Sequence, residues 1–182
     1  MNSDAQTCAV HSCPELDPAV FRDALGRFVT GVTVMTTRSP SGVRVGVTVS
    51  SFNTLSLDPP LILWSVRNET GSGDAFITGR AFNLSVLSCE QRELALHFAR
   101  PAPDKFERFE AEFDVATNGC PRLESAVATF ECSTYSRHQE GDHTILLGRV
   151  DRFSSSDKPP LLFHSGQMGS LWDLAQSLVQ PA

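Results

Sequence analysis

The chain lacks the features that would place it in a membrane or outside the cell. None of its 182 residues form an apolar run approaching the roughly 18–20 residues of a transmembrane helix. The first residues show neither the basic segment nor the apolar segment of a secretory signal. Cysteines are odd in number and too scattered for a disulfide scaffold. They are Cys8, Cys13, Cys89, Cys120 and Cys132. We therefore expect a cytoplasmic protein.

Several binding and catalytic signatures are missing as well. The net charge is −6 and no Lys/Arg stripe is present, which argues against binding to nucleic acid. Cys8, His11 and Cys13 are metal-ligand types, but a fourth ligand is missing and no metal site is expected. The chain has no Rossmann glycine motif, no P-loop, no nucleophile elbow and no His-Glu-x-x-His. These absences remove the commonest nucleotide-binding and hydrolase classes.

What is present is one domain of short strands. Residues 1–16 are polar and patternless, which predicts a flexible tail, and residues 17–182 form the domain. Asp17-Pro18 starts a short helix, and further helices are predicted at residues 90–99 and 169–179, with a short one within 69–79. Strands are predicted at residues 32–37, 44–50, 61–66, 82–87, 127–136, 144–153 and 161–164. Residues 53–57 are predicted as a polar loop and residues 100–120 as a long connection. This pattern favours an antiparallel barrel or sandwich.

Two stretches carry candidate chemistry. Hydroxyl side chains crowd residues 48–56, where small side chains leave backbone N–H groups open to a phosphate or the polar edge of a heterocycle. Gly141-Asp142-His143 begins a strand and can present an imidazole to a cleft, with Asp142 fixing its tautomer. The alternatives are a plain polar loop and a hairpin turn with an exposed histidine, and from the residues alone both stay open.

In order along the chain, several segments resemble the short-chain flavin reductases of the FMN-binding split-barrel superfamily. They read FVTGVTV at 28–34, TVSSF at 48–52, SLDPPL at 56–61, FNLSVL at 82–87, KF at 105–106, GDH at 141–143, GRV at 148–150 and PLLF at 160–163. The resemblance covers residues 21–174. It implies a mainly β fold, a six-stranded antiparallel Greek-key split barrel with peripheral helices, working as a homodimer. The family often has an aromatic residue after the glycine near the C-terminus, where this chain has Gln167-Met168.

The resemblance also implies which residues bind the flavin and the nicotinamide nucleotide. Positions matching the family's contacts to the flavin ring, ribityl chain and phosphate, and to the nicotinamide side, are Thr48, Val49, Ser50, Ser51, Ser56, Leu57, Ser88, Phe98, Lys105, Asp142 and His143. His143 is expected to help position the nicotinamide. No side chain is expected to be essential, because nicotinamide and flavin carry the hydride chemistry themselves.

The implied function is NAD(P)H-dependent reduction of free flavin, either FAD or FMN, with NADH the default donor. Reduced flavin would reach a partner monooxygenase by diffusion. Two other functions fit the same barrel: an electron carrier that keeps FMN tightly bound, and a non-catalytic module that binds flavin or haem.

Overall fold

The computed structural model describes residues 17–173, which form antiparallel sheets with few helices. The helices are α1 (Pro18–Gly26), α2 (Gly73–Thr78) and α3 (Arg92–Phe98), with 3-10 turns at Cys89–Gln91 and Glu107–Glu112. The strands are β1 (Thr30–Gly31), β2 (Thr33–Arg38), β3 (Arg44–Val49), β4 (Asn53–Leu57), β5 (Pro60–Arg67), β6 (Ala81–Val86), β7 (Phe113–Val115), β8 (Pro121–Leu123), β9 (Ala128–Glu140), β10 (His143–Ser155), β11 (Leu162–His164) and β12 (Gln167–Gly169).

Seven of these strands form the main sheet, in the order β3-β2-β6-β9-β10-β5-β4. Its hairpins are β2–β3, β4–β5 and β9–β10, and β6 lies between β2 and β9. The mainly β, antiparallel class is as predicted, but the sheet has seven strands where six were expected. Two small sheets accompany it, β1-β11-β12 and β7-β8. Within the described part of the chain, no helix has the length and apolar composition needed to cross a bilayer.

The additional strand is β4, which corrects the prediction of a polar loop at residues 53–57. β4 returns along β5 because a tight turn at Asp58-Pro59 places Leu57 opposite Pro60. It lies at one end of the sheet order and four of its five residues are exposed, so polar side chains cost nothing there. The predicted 100–120 connection contains a 3-10 turn and β7. The predicted tail at 1–16 and most of the predicted helix at 169–179 lie outside the described residues.

The sheet closes on itself where β3 runs into β4. The Ser51 hydroxyl accepts the Ser65 N–H at 3.1 Å and donates to the Ser65 carbonyl at 3.0 Å, so it bonds to β5 beyond the end of β4. Farther from this closure, the two sides part between the N-terminal half of β3 and the segment after β5. This opening is the seam of the barrel.

Apolar side chains pack on both faces of β2 and β3. Inside the barrel, Met35, Trp64, Phe76 and Phe82 form one cluster, against which the β3 valines pack. Outside it, α3 and residues 106–113 form a second cluster that includes Phe98 and Phe106. β3 is therefore held between two cores, and its position fixes the seam.

Candidate functional site

A groove of about 570 Å³ lies at the seam of the barrel. Its walls are the first part of β3, the segment after β5 and the loop after α3, here called the 99–106 loop. The lining residues are Val43, Arg44, Val45, Gly46, Val47, Glu69, Thr70, Gly71, Ser72, Ala99, Pro101, Ala102, Pro103, Lys105 and Phe106. The volume and the mostly apolar lining are those of a site for a small organic molecule.

The β3 wall offers backbone donors as well as apolar side chains. The Gly46 carbonyl accepts a hydrogen bond from the Lys105 ammonium. Across the β2–β3 hairpin the Ser39 N–H donates to the Val43 carbonyl, and the pairing alternates along the strand, so the Gly46 carbonyl points away from β2. In an antiparallel strand, N–H and C=O of one residue point to the same side, so Gly46 also turns its N–H away from β2. Because the direction of these groups alternates from residue to residue, the N–H and C=O of Arg44 and Thr48 also point away from β2. The edge of β3 can therefore bind the polar rim of a flat ring.

Gly46 lies where a side chain would not fit. A Cβ there would come within 2.6 Å of the Phe98 ring and 3.2 Å of the Phe106 ring. The absence of a side chain lets α3 approach β3 closely, and it brings the 99–106 loop over the edge of the strand. The groove therefore depends on this glycine.

Two cations line the groove, and among residues 17–173 one of them has no carboxylate partner. Arg44 is paired with Glu110 at 2.5 Å and with Asp104 at 3.6 Å. The Lys105 ammonium donates to the carbonyls of Gly46 at 3.0 Å and Phe98 at 2.8 Å. Burial lowers the pKa of Lys105 below its usual value of 10.5. An ammonium has three donors, so one remains for an anionic ligand group.

The Gly-Asp-His turn, residues 141–143, lies beside the wall that follows β5. Asp142 Oδ1 is 2.6 Å from His143 Nδ1, and this hydrogen bond is the main cause that lowers the pKa of Asp142. With Nδ1 occupied, Nε2 of a neutral imidazole is left as an acceptor. The Asn68 N–H donates to the Asp142 carbonyl at 3.0 Å, and Glu69, the next residue, lines the groove. Asn68 also accepts from the Thr144 hydroxyl at 2.6 Å.

The structure distributes the predicted site residues unevenly around this groove. Lys105 lines it, and Asp142 and His143 lie next to its wall. The Thr48 hydroxyl donates to the Ala95 carbonyl at 2.7 Å, and the Ser51 hydroxyl is used by β5. Ser50 is exposed at the end of β3.

The other predicted residues lie farther from the groove or beneath it. Val49 packs into the barrel core. Ser56 and Leu57 lie on β4, where Leu57 is 98% exposed. Ser88 is buried, and its N–H donates to Gln91 Oε1 at 2.9 Å. The Phe98 ring is fully buried, so only its carbonyl takes part in the groove, through Lys105. Their contacts with flavin stay predictions.

Sequence reasoning missed the residues that give the groove its shape. Gly46, Asn68 and the segment 69–72 carry no chemical signature, and only the glycine within a strand hinted at a close approach. Among residues 17–173, no three His, Cys, Asp or Glu side chains gather as a metal site. Cys8, His11 and Cys13 lie outside the described residues.

Comparison with known proteins gives one consistent family. The model of the flavin reductase like domain matches residues 25–171. The chain is 40% identical over 149 residues to the FMN reductase (NADH) SmoA of Agrobacterium fabrum, covering 82% of this chain and 83% of SmoA. It is 37% identical to an NADH-dependent flavin reductase of a Rhodococcus species, covering 87% of this chain and 89% of that one.

A longer relative and a solved structure indicate the same family. The chain is 37% identical to the reductase component of a flavin-dependent trigonelline monooxygenase of Acinetobacter baylyi, covering 80% of this chain and 46% of that longer protein. Among solved structures, the NADH:FAD oxidoreductase SgcE6 of Streptomyces globisporus C-1027, in complex with NAD and FAD fragments, superposes with a TM-score of 0.80 at 32% identity. That match covers 88% of this chain and 95% of SgcE6.

These findings confirm the predicted family, the split-barrel fold class and the enzyme class, flavin reductase. The chain belongs to the flavin-reductase-like family.

Proposed function

We propose that this flavin reductase oxidises NADH and transfers the hydride to free flavin, FMN or FAD, which it then releases. The observation that carries the proposal is the groove, which combines apolar walls, a strand edge with backbone donors and an ammonium that bonds only to carbonyls within the described part of the chain. A flavin nucleotide presents the matching groups: a flat ring with a polar rim and a phosphate. The names of SmoA, the Rhodococcus relative and SgcE6 support NADH as the donor.

The chemistry itself belongs to the two ligands: a hydride from NADH and a proton from water give reduced flavin and NAD⁺. The protein binds the two ligands, orients them relative to each other and excludes water from them. Apolar walls at Val45, Val47 and Pro101 keep the ring out of solvent, and the β3 edge donates to its polar rim. Lys105 binds the flavin phosphate, and His143, oriented by Asp142, holds the nicotinamide side. No side chain needs to act as an acid or base.

We further propose that the reduced flavin reaches a partner monooxygenase by diffusion, and that the chain acts in the cytoplasm as a homodimer. The A. baylyi relative is itself the reductase component of a flavin-dependent monooxygenase, which supports such a partner. An enzyme that releases its product to a second protein must bind flavin loosely enough to exchange it within a turnover.

The decisive test is NADH oxidation by the purified chain, with FMN or FAD added in increasing amounts. A rate that rises with free flavin and saturates identifies flavin as a substrate and shows which flavin is preferred. Parallel assays with NADPH decide the donor. A yellow protein whose NADH oxidation does not respond to added flavin would instead support an electron carrier with tightly bound FMN. No consumption of either nucleotide would refute the enzymatic proposal.

The role of Lys105 is tested by Lys105→Met, because the chain contains one other lysine that serves as a matched control. Lys158 is exposed, and its ammonium donates to the Ser125 carbonyl at 2.8 Å. Loss of a charge-assisted bond worth about 1.5–3 kcal/mol should weaken FMN binding roughly 10- to 150-fold. Binding of riboflavin, which lacks the phosphate, should change little, and Lys158→Met should leave both flavins unaffected.

The role of the Gly-Asp-His turn is tested by His143→Ala. The KM for NADH should rise more than the Kd for flavin, because the imidazole faces the nicotinamide side. An unchanged KM for NADH would contradict this role. Gln139→Ala, at an exposed position of the same hairpin, is the control.

A further inference from the structure

His97 lies on the side of α3 that faces the 99–106 loop. Its Nε2 is 3.0 Å from the Lys105 carbonyl oxygen. Its ring packs edge-on against Phe98 and Phe109, with centroid distances of 5.8 Å and 5.2 Å. The imidazole is half-buried and does not line the groove. It is thus held by aromatic neighbours in an orientation that bonds to one backbone atom.

That backbone atom belongs to the lysine whose ammonium lies in the groove. Lys105 is attached to α3 twice: its carbonyl bonds to His97, and its ammonium donates to the carbonyl of Phe98, the next residue of the helix. Across Lys105, the Phe106 N–H donates to Asp104 Oδ1 at 2.8 Å, and the buried Phe106 ring packs against Phe98 of α3. The His97 bond joins the main chain of Lys105 itself to the helix, in addition to the packing of the neighbouring Phe106.

A lysine side chain has four rotatable bonds, so the place of its ammonium is defined only if its main chain is also fixed. Each unfixed rotamer costs entropy when a ligand orders it. Without the His97 bond, Lys105 would still carry its charge and Phe106 would still anchor the loop, but binding of an anion would have to order the Lys105 main chain as well as its side chain.

We propose that His97 is a positioning residue that, through the Lys105 carbonyl, holds the Lys105 ammonium in place for the phosphate of the flavin nucleotide. This inference rests on the proposed binding of flavin phosphate by Lys105. It predicts that His97 influences ligands with a phosphate and spares ligands without one. A residue that merely packs the helix would affect both kinds of ligand alike.

Two substitutions separate the hydrogen bond from the packing. His97→Phe keeps an aromatic ring beside Phe109 and removes the donor. His97→Gln keeps an N–H donor of similar reach and removes the ring. The measurement is the Kd of FMN and of riboflavin, from quenching of flavin fluorescence on titration with the full-length protein, which needs no turnover.

His97→Phe should raise the Kd of FMN roughly fivefold, the effect of one neutral hydrogen bond, and leave the Kd of riboflavin unchanged. His97→Gln should restore FMN binding to near that of the unmodified protein. In a Lys105→Met background, His97→Phe should have no further effect on FMN, because the ammonium that it positions is gone.

Equal weakening of FMN and riboflavin by His97→Phe would overturn the inference and leave His97 a packing residue. Failure of His97→Gln to restore FMN binding would also overturn it. If Lys105→Met itself does not distinguish FMN from riboflavin, the phosphate role of Lys105 is wrong, and the inference falls with it. That result is read from the lysine variant alone, so the two failures are distinguishable.

Discussion

Replacing Gly46 by alanine should weaken the packing of α3 against β3, on which the groove depends. The added Cβ would lie 2.6 Å and 2.7 Å from two carbons of the Phe98 ring, whereas ordinary contact begins at 3.4 Å. The Phe98 ring is fully buried, so it cannot swing into solvent, and either the ring or β3 has to move by most of an ångström. Overfilling a packed interior in this way costs about 1–3 kcal/mol.

A second effect partly offsets this cost. Alanine restricts the unfolded chain more than glycine does, which stabilises the folded protein by about 0.4–1 kcal/mol. The net expectation for Gly46→Ala is a loss of about 1–2 kcal/mol in the free energy of unfolding. For a chain of this length, each kcal/mol corresponds to a decrease of about 2–4 °C in Tm.

Urea unfolding, followed by circular dichroism, measures the loss, and FMN titration measures its consequence for the site. FMN should bind more weakly, because Gly46 also supplies a carbonyl to Lys105. Gly31→Ala is the control, since a Cβ there has nothing within 4 Å. Adding Phe98→Leu should recover part of the lost stability. If Gly46→Ala is as stable as the unmodified protein, the close packing of α3 on β3 is not what requires glycine.

Two further predictions follow from burial. Burial lowers the pKa of Lys105, and only the charged form of its ammonium attracts phosphate. The ratio of the FMN Kd to the riboflavin Kd should therefore rise as the pH passes that lowered pKa, below the pH at which an exposed lysine titrates. A ratio that stays constant up to pH 10.5 would contradict this. Burial also raises the pKa of Cys132 to about 12 and raises that of Cys120. Iodoacetamide at neutral pH should therefore modify Cys89 and spare both, as peptide mass mapping would show.

The sequence predicts the long β9–β10 hairpin because strand alternation and a polar turn are local signals. The helix at residues 90–99 is likewise predicted, and its Leu94, Ala95 and Phe98 share the buried face of α3. β4 was missed because an edge strand has no need of apolar residues, and a polar strand looks like a loop. The hairpin and the helix are determined by neighbouring residues and can be predicted, whereas β4 is determined by its pairing with β5.

The site was less predictable than the fold. A hydroxyl in the sequence is equally suited to a ligand and to a backbone carbonyl, and those of Thr48 and Ser51 are used by the backbone. The groove walls come from three segments distant in the sequence, and closure of the barrel brings them together. Val45, Val47 and Gly46 bear no reactive group, so no motif could identify them as a wall.

The free edge of β3 has a consequence for the handling of this protein. A β-branched strand such as Arg44–Val49, with unpaired backbone groups, is a template on which a second chain can add a strand and start aggregation. Here the 99–106 loop and Lys105 cover that edge, and a bound flavin would cover more of it. Ligand and loop then protect the folded protein as well as serving catalysis, so storage without flavin, or variants that release the loop, should favour precipitation.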